Sequence, residues 1–208
     1  LLFFIRTTVT GAVFCGVGFF CTAAVDQFFN QHFFNIDVKT EHTDEREFSE
    51  KRELDWNLLD AVDGEMSDNE RLRQYVSVLN SFYLAHPAMY ELDARPAGFE
   101  WISTLDADHS VIAFLRKSKD ETLLVVCNFT PVSYEAFRIG VPFAGKYKEI
   151  FNSDAAEFGG EGVVNSRVKT AKAEECDERE YSIKVKLPAL GVSIYSCTPG
   201  KAPARKKV

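Results

Sequence analysis

The sequence has 208 residues, room for one good-sized domain or a small domain with appendages, and its 46% hydrophobic and 26% charged content is ordinary for a globular chain. A formal net charge of −7 excludes a nucleic-acid binder, whose phosphate contacts need clustered Lys and Arg. Five scattered cysteines (Cys15, Cys21, Cys127, Cys176, Cys197), odd in number and without CxxC spacing, exclude a zinc-ribbon or thioredoxin-type site and suit a reducing compartment.

Residues 1–52 read as a segment unlike the rest. Ten of the 18 phenylalanines lie between Phe3 and Phe48, in doublets that follow neither a strand nor a helix period. The uncharged run at 7–25 has three readings: a reading-frame artefact, a membrane or signal segment, or buried structure. A membrane partner is expected only if that run is genuinely translated. The acidic stretch at 37–53 has the polarity of an exposed linker, and His42 in it is read as solvated.

Next comes RELDWNLLD, Arg52 to Asp60, in which Glu53 and Asp55 flank Leu54 and precede Trp56. Ser67 and Glu70 form a capping box ahead of a helix over 68–86. Its apolar face is Leu72, Tyr75, Val76, Leu79, Phe82 and Tyr83, and His86 with Pro87 ends it. Beyond Glu100 the pattern turns to strands: 110–117 and 122–129 joined by a polar hairpin turn, then 134–141, 146–152, 181–187 and 191–197. YSIKVKL alternates as a half-buried antiparallel strand does. The insert 152–181 reads as a surface loop, and its NSDAAEFGGEG portion as a solvated turn without the spacing of a calcium loop. The fold class expected is mainly β: an antiparallel β-sandwich over 100–198 preceded by one long helix, with an irregular N-terminal segment and a disordered basic tail at 199–208.

Four motifs in order carry a resemblance: RELDWNLLD, LNSFYLAHPAMYELDARPAGFEWI (79–102), VVCNFTPVSYEAFRIGVPFAGKYKEIFNSDAAEFGG (125–160) and KLPALGVSIYSC (186–197). Together, from about residue 53 to 198, they resemble the C-terminal end of a bacterial-type 1,4-α-glucan branching enzyme of the α-amylase superfamily. The resemblance implies that 53–99, with the helix, is the end of a catalytic (β/α)₈ barrel and that 100–198 is the all-β domain behind it. It implies an α-glucan as ligand, the catalytic barrel as partner, a cytoplasmic location and no cofactor or metal. No part of 1–52 matches the family's catalytic motifs, so no catalytic residue is assigned and the chain alone is expected to be inactive.

Glu53 and Asp55 are not read as a catalytic pair. A retaining glycosidase needs carboxyl groups about 5–5.5 Å apart across the scissile bond, and residues two apart do not face each other on a helix. The carbohydrate-binding candidates are Trp101 with Phe99 and Glu100, and Trp56, because an indole offers a flat apolar face to sugar C–H groups and an N–H to a hydroxyl. Tyr134, Phe137 and Phe143 read as core, and His109 as surface. Besides a branching-enzyme fragment, two other readings stand. One is a stand-alone carbohydrate-binding or interaction module, membrane-anchored through 7–25. The other is a chain that fails to fold, because the apolar face of its helix lacks a barrel to cover it.

Overall fold

A computed structural model describes residues 56–61, 64–103 and 109–200. The apolar run at 7–25, the pair Glu53 and Asp55, His42 and residues 201–208 of the basic tail lie outside the described residues, whereas Pro199, expected to open that tail, ends the last strand.

The helix α1 spans Asp68–Ala85. Its start is sharp because the Ser67 hydroxyl accepts the Glu70 N–H at 3.2 Å and two acids stand in the first turn, where the helix dipole favours them. The Glu70 carboxylate takes the Arg73 Nε–H at 2.6 Å. At the other end His86 is extended ahead of Pro87, and its N–H returns to the Phe82 carbonyl at 3.1 Å. Among the described residues no helix is long and apolar enough to cross a membrane.

Among the described residues eight strands follow: β1 Phe99–Ser103, β2 Val111–Lys117, β3 Thr122–Asn128, β4 Tyr134–Val141, β5 Gly145–Asn152, β6 Lys169–Thr170, β7 Tyr181–Leu187 and β8 Val192–Pro199. They form a six-stranded sheet in the order β1-β2-β3-β8-β5-β6 and a two-stranded sheet of β4 and β7, with every pair antiparallel. Six of these strands were expected from the sequence; β1 and β6 were not. The expected domain boundary between 99 and 100 falls inside β1.

The large sheet is the middle of three layers. Leu124 and Val126 of β3 point into a core shared with Ile139 of β4 and Ile183, Val185 and Leu187 of β7. The alternate residues Leu123, Val125 and Cys127 point the other way, into a second core with Tyr75 and Phe82 of α1. This explains why β2 and β3 read as nearly unbroken apolar runs, whereas β7, covered on one face, alternates. The structure corrects the reading that α1 would be left uncovered. Tyr75 and Phe82 are buried against the outer face of the sheet, where rings of Phe151 and Phe158 meet them at centroid distances of 5.1 to 5.9 Å.

The insert 152–181 stays largely at the surface, as expected, but a few of its residues are drawn inside, which is a second correction. Phe158 sits in the helix-side core, and Asn152, Ser153, Asp154 and Asn165 are also buried. Side chains satisfy the backbone where ladders do not. Asp154 accepts the N–H groups of Glu161 at 3.0 Å and Val163 at 2.8 Å, so the predicted solvated turn is organised around a buried carboxylate. Gly160 permits the tight path, because a Cβ there would stand 2.4 Å from the Asp154 carbonyl oxygen.

Candidate functional site

Among the described residues β1 lies at the edge of the large sheet and pairs only with β2. Trp101 stands opposite Phe114 and Phe99 opposite Arg116, so by strand alternation both aromatics lie on the helix side of the sheet. Phe99 and Trp101 meet edge to face at 4.8 Å, and Phe114 packs against each of them at 5.3 and 5.8 Å. The ring is supported from behind yet 36% exposed, which makes Trp101 a fixed apolar platform on the surface. Buried Arg116 donates to the Met89 carbonyl at 2.9 Å and the Asp93 carboxylate at 2.5 Å, fixing the turn that borders this face.

Glu100 stands opposite Leu115, on the β4–β7 side of the sheet, and so does not share the face of Trp101. Its carboxylate is held by the Lys117 ammonium and by the Arg179 guanidinium at 2.7 Å. Arg179 also donates to the Trp101 carbonyl at 2.9 Å. Sequence reasoning missed Arg179, since nothing in its neighbourhood points 78 positions back to Trp101. Trp56 lies in a short turn, Trp56–Leu59, against α1; its side chain lies outside the described residues.

The hydrogen bond from Lys117 holds the Glu100 carboxyl below its ordinary value of 4.5, Arg179 adding to the effect and partial burial opposing it. A carboxylate whose pKa is lowered on folding stabilises the fold above the unfolded value and loses that contribution as pH falls through the folded one. The expected result is that Glu100→Gln melts lower than the parent chain at pH 7, and that this gap closes as pH falls below 4.5. Paired thermal melts from pH 7 to 3 check it; a gap independent of pH would refute the ion pair's role.

The structure also assembles a second ring cluster. His109 approaches Tyr134 and Phe137 edge-on at 5.7 and 5.6 Å, and these two tilt together at 5.3 Å. Tyr134, Phe137 and Phe143 are partly buried and pack on the inner core, so their reading as core holds in the main, while His109 is exposed as expected. His86, read as a helix-end residue, accompanies the end of α1, its Nδ1 lying 2.6 Å from a Glu121 carboxylate oxygen. Among the described residues no group of three or more His, Cys, Asp or Glu is placed to hold a metal ion.

Residues 101–198 match the family described as alpha amylase, C-terminal all-beta domain. The chain is 41% identical over 151 residues to the 1,4-alpha-glucan branching enzyme GlgB of Oceanobacillus iheyensis, a match covering 72% of this chain and 23% of that protein. It is 41% identical over 150 residues to the corresponding enzyme of Synechococcus elongatus, covering 71% and 19%. With that of Rubrobacter xylanophilus the identity is 39% over 152 residues, covering 72% and 20%. The matched part therefore spans about a fifth of the length of these relatives. Among solved structures, an alpha-amylase from H. orenii aligns with a TM-score of 0.38 at 19% identity, over 65% of this chain and 23% of that one. A trehalulose synthase aligns with a TM-score of 0.41 at 16% identity, over 65% and 20%.

Proposed function

We propose, for a chain whose residues 101–198 belong to the family of α-amylase C-terminal all-beta domains, that it serves as the C-terminal part of a 1,4-α-glucan branching enzyme and holds an α-glucan chain on Trp101. The relatives' names and the 39–41% identity over some 150 residues support the first half. The placement of Trp101 on an edge strand, braced by Phe99 and Phe114, supports the second. A branching enzyme cleaves an α-1,4 linkage, retains the severed segment as a glycosyl intermediate and transfers it to a 6-hydroxyl. In this reading the carboxyl groups for those steps belong to a catalytic barrel, the partner that this domain accompanies in the cytoplasm.

A sugar ring laid on the indole would bury C–H groups against an apolar face while the ring hydroxyls stay in water. Phe99 belongs to the same platform. Glu100 acts from the opposite side of the strand, on the backbone rather than on the sugar. The expected result is that Trp101→Ala binds maltoheptaose roughly tenfold more weakly, a loss of about 1.4 kcal/mol. Calorimetry on the full chain checks it, and equal affinity in the two proteins would remove the site. An iodine-stain branching assay of the chain alone should show no activity.

One observation favours a second reading, a self-sufficient carbohydrate-binding module. Both faces of the large sheet are covered without any further domain, by α1 on one side and by β4 and β7 on the other. A membrane-anchored form of that module would rest on residues 7–25, outside the described part.

A further inference from the structure

We propose that the Cys176–Arg179 turn is a clamp that sets the position of the Trp101 platform, with Arg179 as its positioning residue. The proposal rests on Trp101 being the glucan site. It begins with a weak point in β1. The ladder pairs Trp101 with Phe114 and Ser103 with Ala113, which leaves Ile102 as an extra residue and bends the strand there. The Trp101 carbonyl belongs to the peptide that enters this bulge, on a strand whose one partner among the described residues is β2. Arg179 Nη2 donates to this carbonyl at 2.9 Å and also meets the Glu100 carboxylate at 2.7 Å, so the guanidinium grips two consecutive residues of β1.

The grip is useful only if Arg179 is itself held, and the turn that carries it is anchored elsewhere. Cys176 and Arg179 exchange backbone hydrogen bonds at 3.1 and 2.9 Å around Asp177 and Glu178. Those two residues have φ of +51° and +58°, the geometry of the tight hairpin turn with left-handed central residues. The Asp177 carboxylate accepts the Gly140 N–H of β4 at 2.7 Å. Gly140 lets the turn come this close, because a Cβ there would lie 2.3 Å from the Cys176 carbonyl oxygen. The turn therefore ties the two-stranded sheet to the edge of the six-stranded one, at the residue that carries the indole. Release of either end frees the bulged part of β1 and costs sugar affinity through lost preorganisation, without removing a sugar contact.

The test uses the full chain with Trp56→Phe, so that fluorescence reports Trp101 alone, and adds Arg179→Ala, Arg179→Lys, Asp177→Ser or Trp101→Ala. Arg179→Ala should weaken maltoheptaose binding threefold or more and raise acrylamide quenching of Trp101, with Arg179→Lys recovering part of both. Asp177→Ser, which leaves the guanidinium in place but frees the turn from β4, should raise quenching in the same direction. It also keeps the proposal testable if Arg179→Ala loses its cooperative melt. Unchanged quenching in both Arg179→Ala and Asp177→Ser overturns the clamp. If Trp101→Ala binds as well as its parent, the glucan reading fails separately, and the quenching data still decide whether Arg179 positions the indole.

Discussion

Tyr75→Ala and Phe82→Ala are each expected to destabilise the chain by about 3–5 kcal/mol, the range for removing a buried aromatic from a packed core. In a domain of this size that lowers the melting temperature by roughly 10–15 °C. Both side chains are more than nine-tenths buried, and they interlock with Phe151 and Phe158 rather than lean on a surface. A helix belonging energetically to another domain would behave differently: truncating a surface-packed ring costs well under about 1 kcal/mol. Thermal and urea melts of the two variants separate these cases. Leu84→Ala is the internal control, since that side chain is 73% exposed on the same helix and should change little. A loss below about 1 kcal/mol in both ring variants would return α1 to the status of an appendage.

Asn165→Ala carries the second large effect, about 2–4 kcal/mol, because several buried groups lose their partner at once. The Asn165 backbone N–H and Nδ2 each donate to the Glu149 carboxylate at 2.8 Å, and Nδ2 also reaches the Lys186 carbonyl and the Tyr195 hydroxyl. Its side-chain oxygen accepts the Lys186 N–H at 2.8 Å. One amide thus joins the insert to β5, β7 and β8, on three separate stretches of chain. Burial first, and then the charge of Glu149, pushes the Tyr195 hydroxyl above the ordinary phenol range. Asn165→Asp tests the same point with the volume kept: the Lys186 N–H retains an acceptor, but a second carboxylate is set against Glu149. It should be at least as destabilising at pH 7 as the alanine, and a near-neutral result in both variants would show that water replaces the network.

Local rules made part of this molecule legible in advance. The start of α1 follows from Ser67 and its end from the His86–Pro87 pair, each a matter of a few neighbouring atoms. β4 and β7 match the expected 134–141 and 181–187 throughout, because apolar positions alternate along β7 and, past an irregularity, at Phe137, Ile139 and Val141 of β4. β6 was hidden for the opposite reason: two residues of mixed character acquire strand geometry only from pairing with Lys146 and Tyr147. β1 was hidden by its bulge and by its position at the sheet edge, where FEWIS carries too short a pattern to stand out. The insert misled because Asp154 and Asn165 look solvated by type, and a polar side chain is buried only when distant groups arrive to bond it.

The candidate site divides in the same way. Trp101 stood out by chemistry, as one of only two tryptophans beside a run of strands. Glu100 stood beside it in the chain and proved to face the other way, since neighbours in a strand point to opposite sides. Arg179 had no local mark at all. The sequence alone determined what depends on period and on adjacency: the helix and its cap, most of the strands, the mainly β class and the ordered motifs that tie the chain to branching enzymes. Only the tertiary structure decided what depends on separate stretches meeting. It placed α1 on the outer face of the sheet, buried Asp154 and Asn165 of the insert, and brought Arg179 under Trp101. Covering a second face and satisfying a buried carboxylate are properties of partners, and a linear pattern does not name the partner.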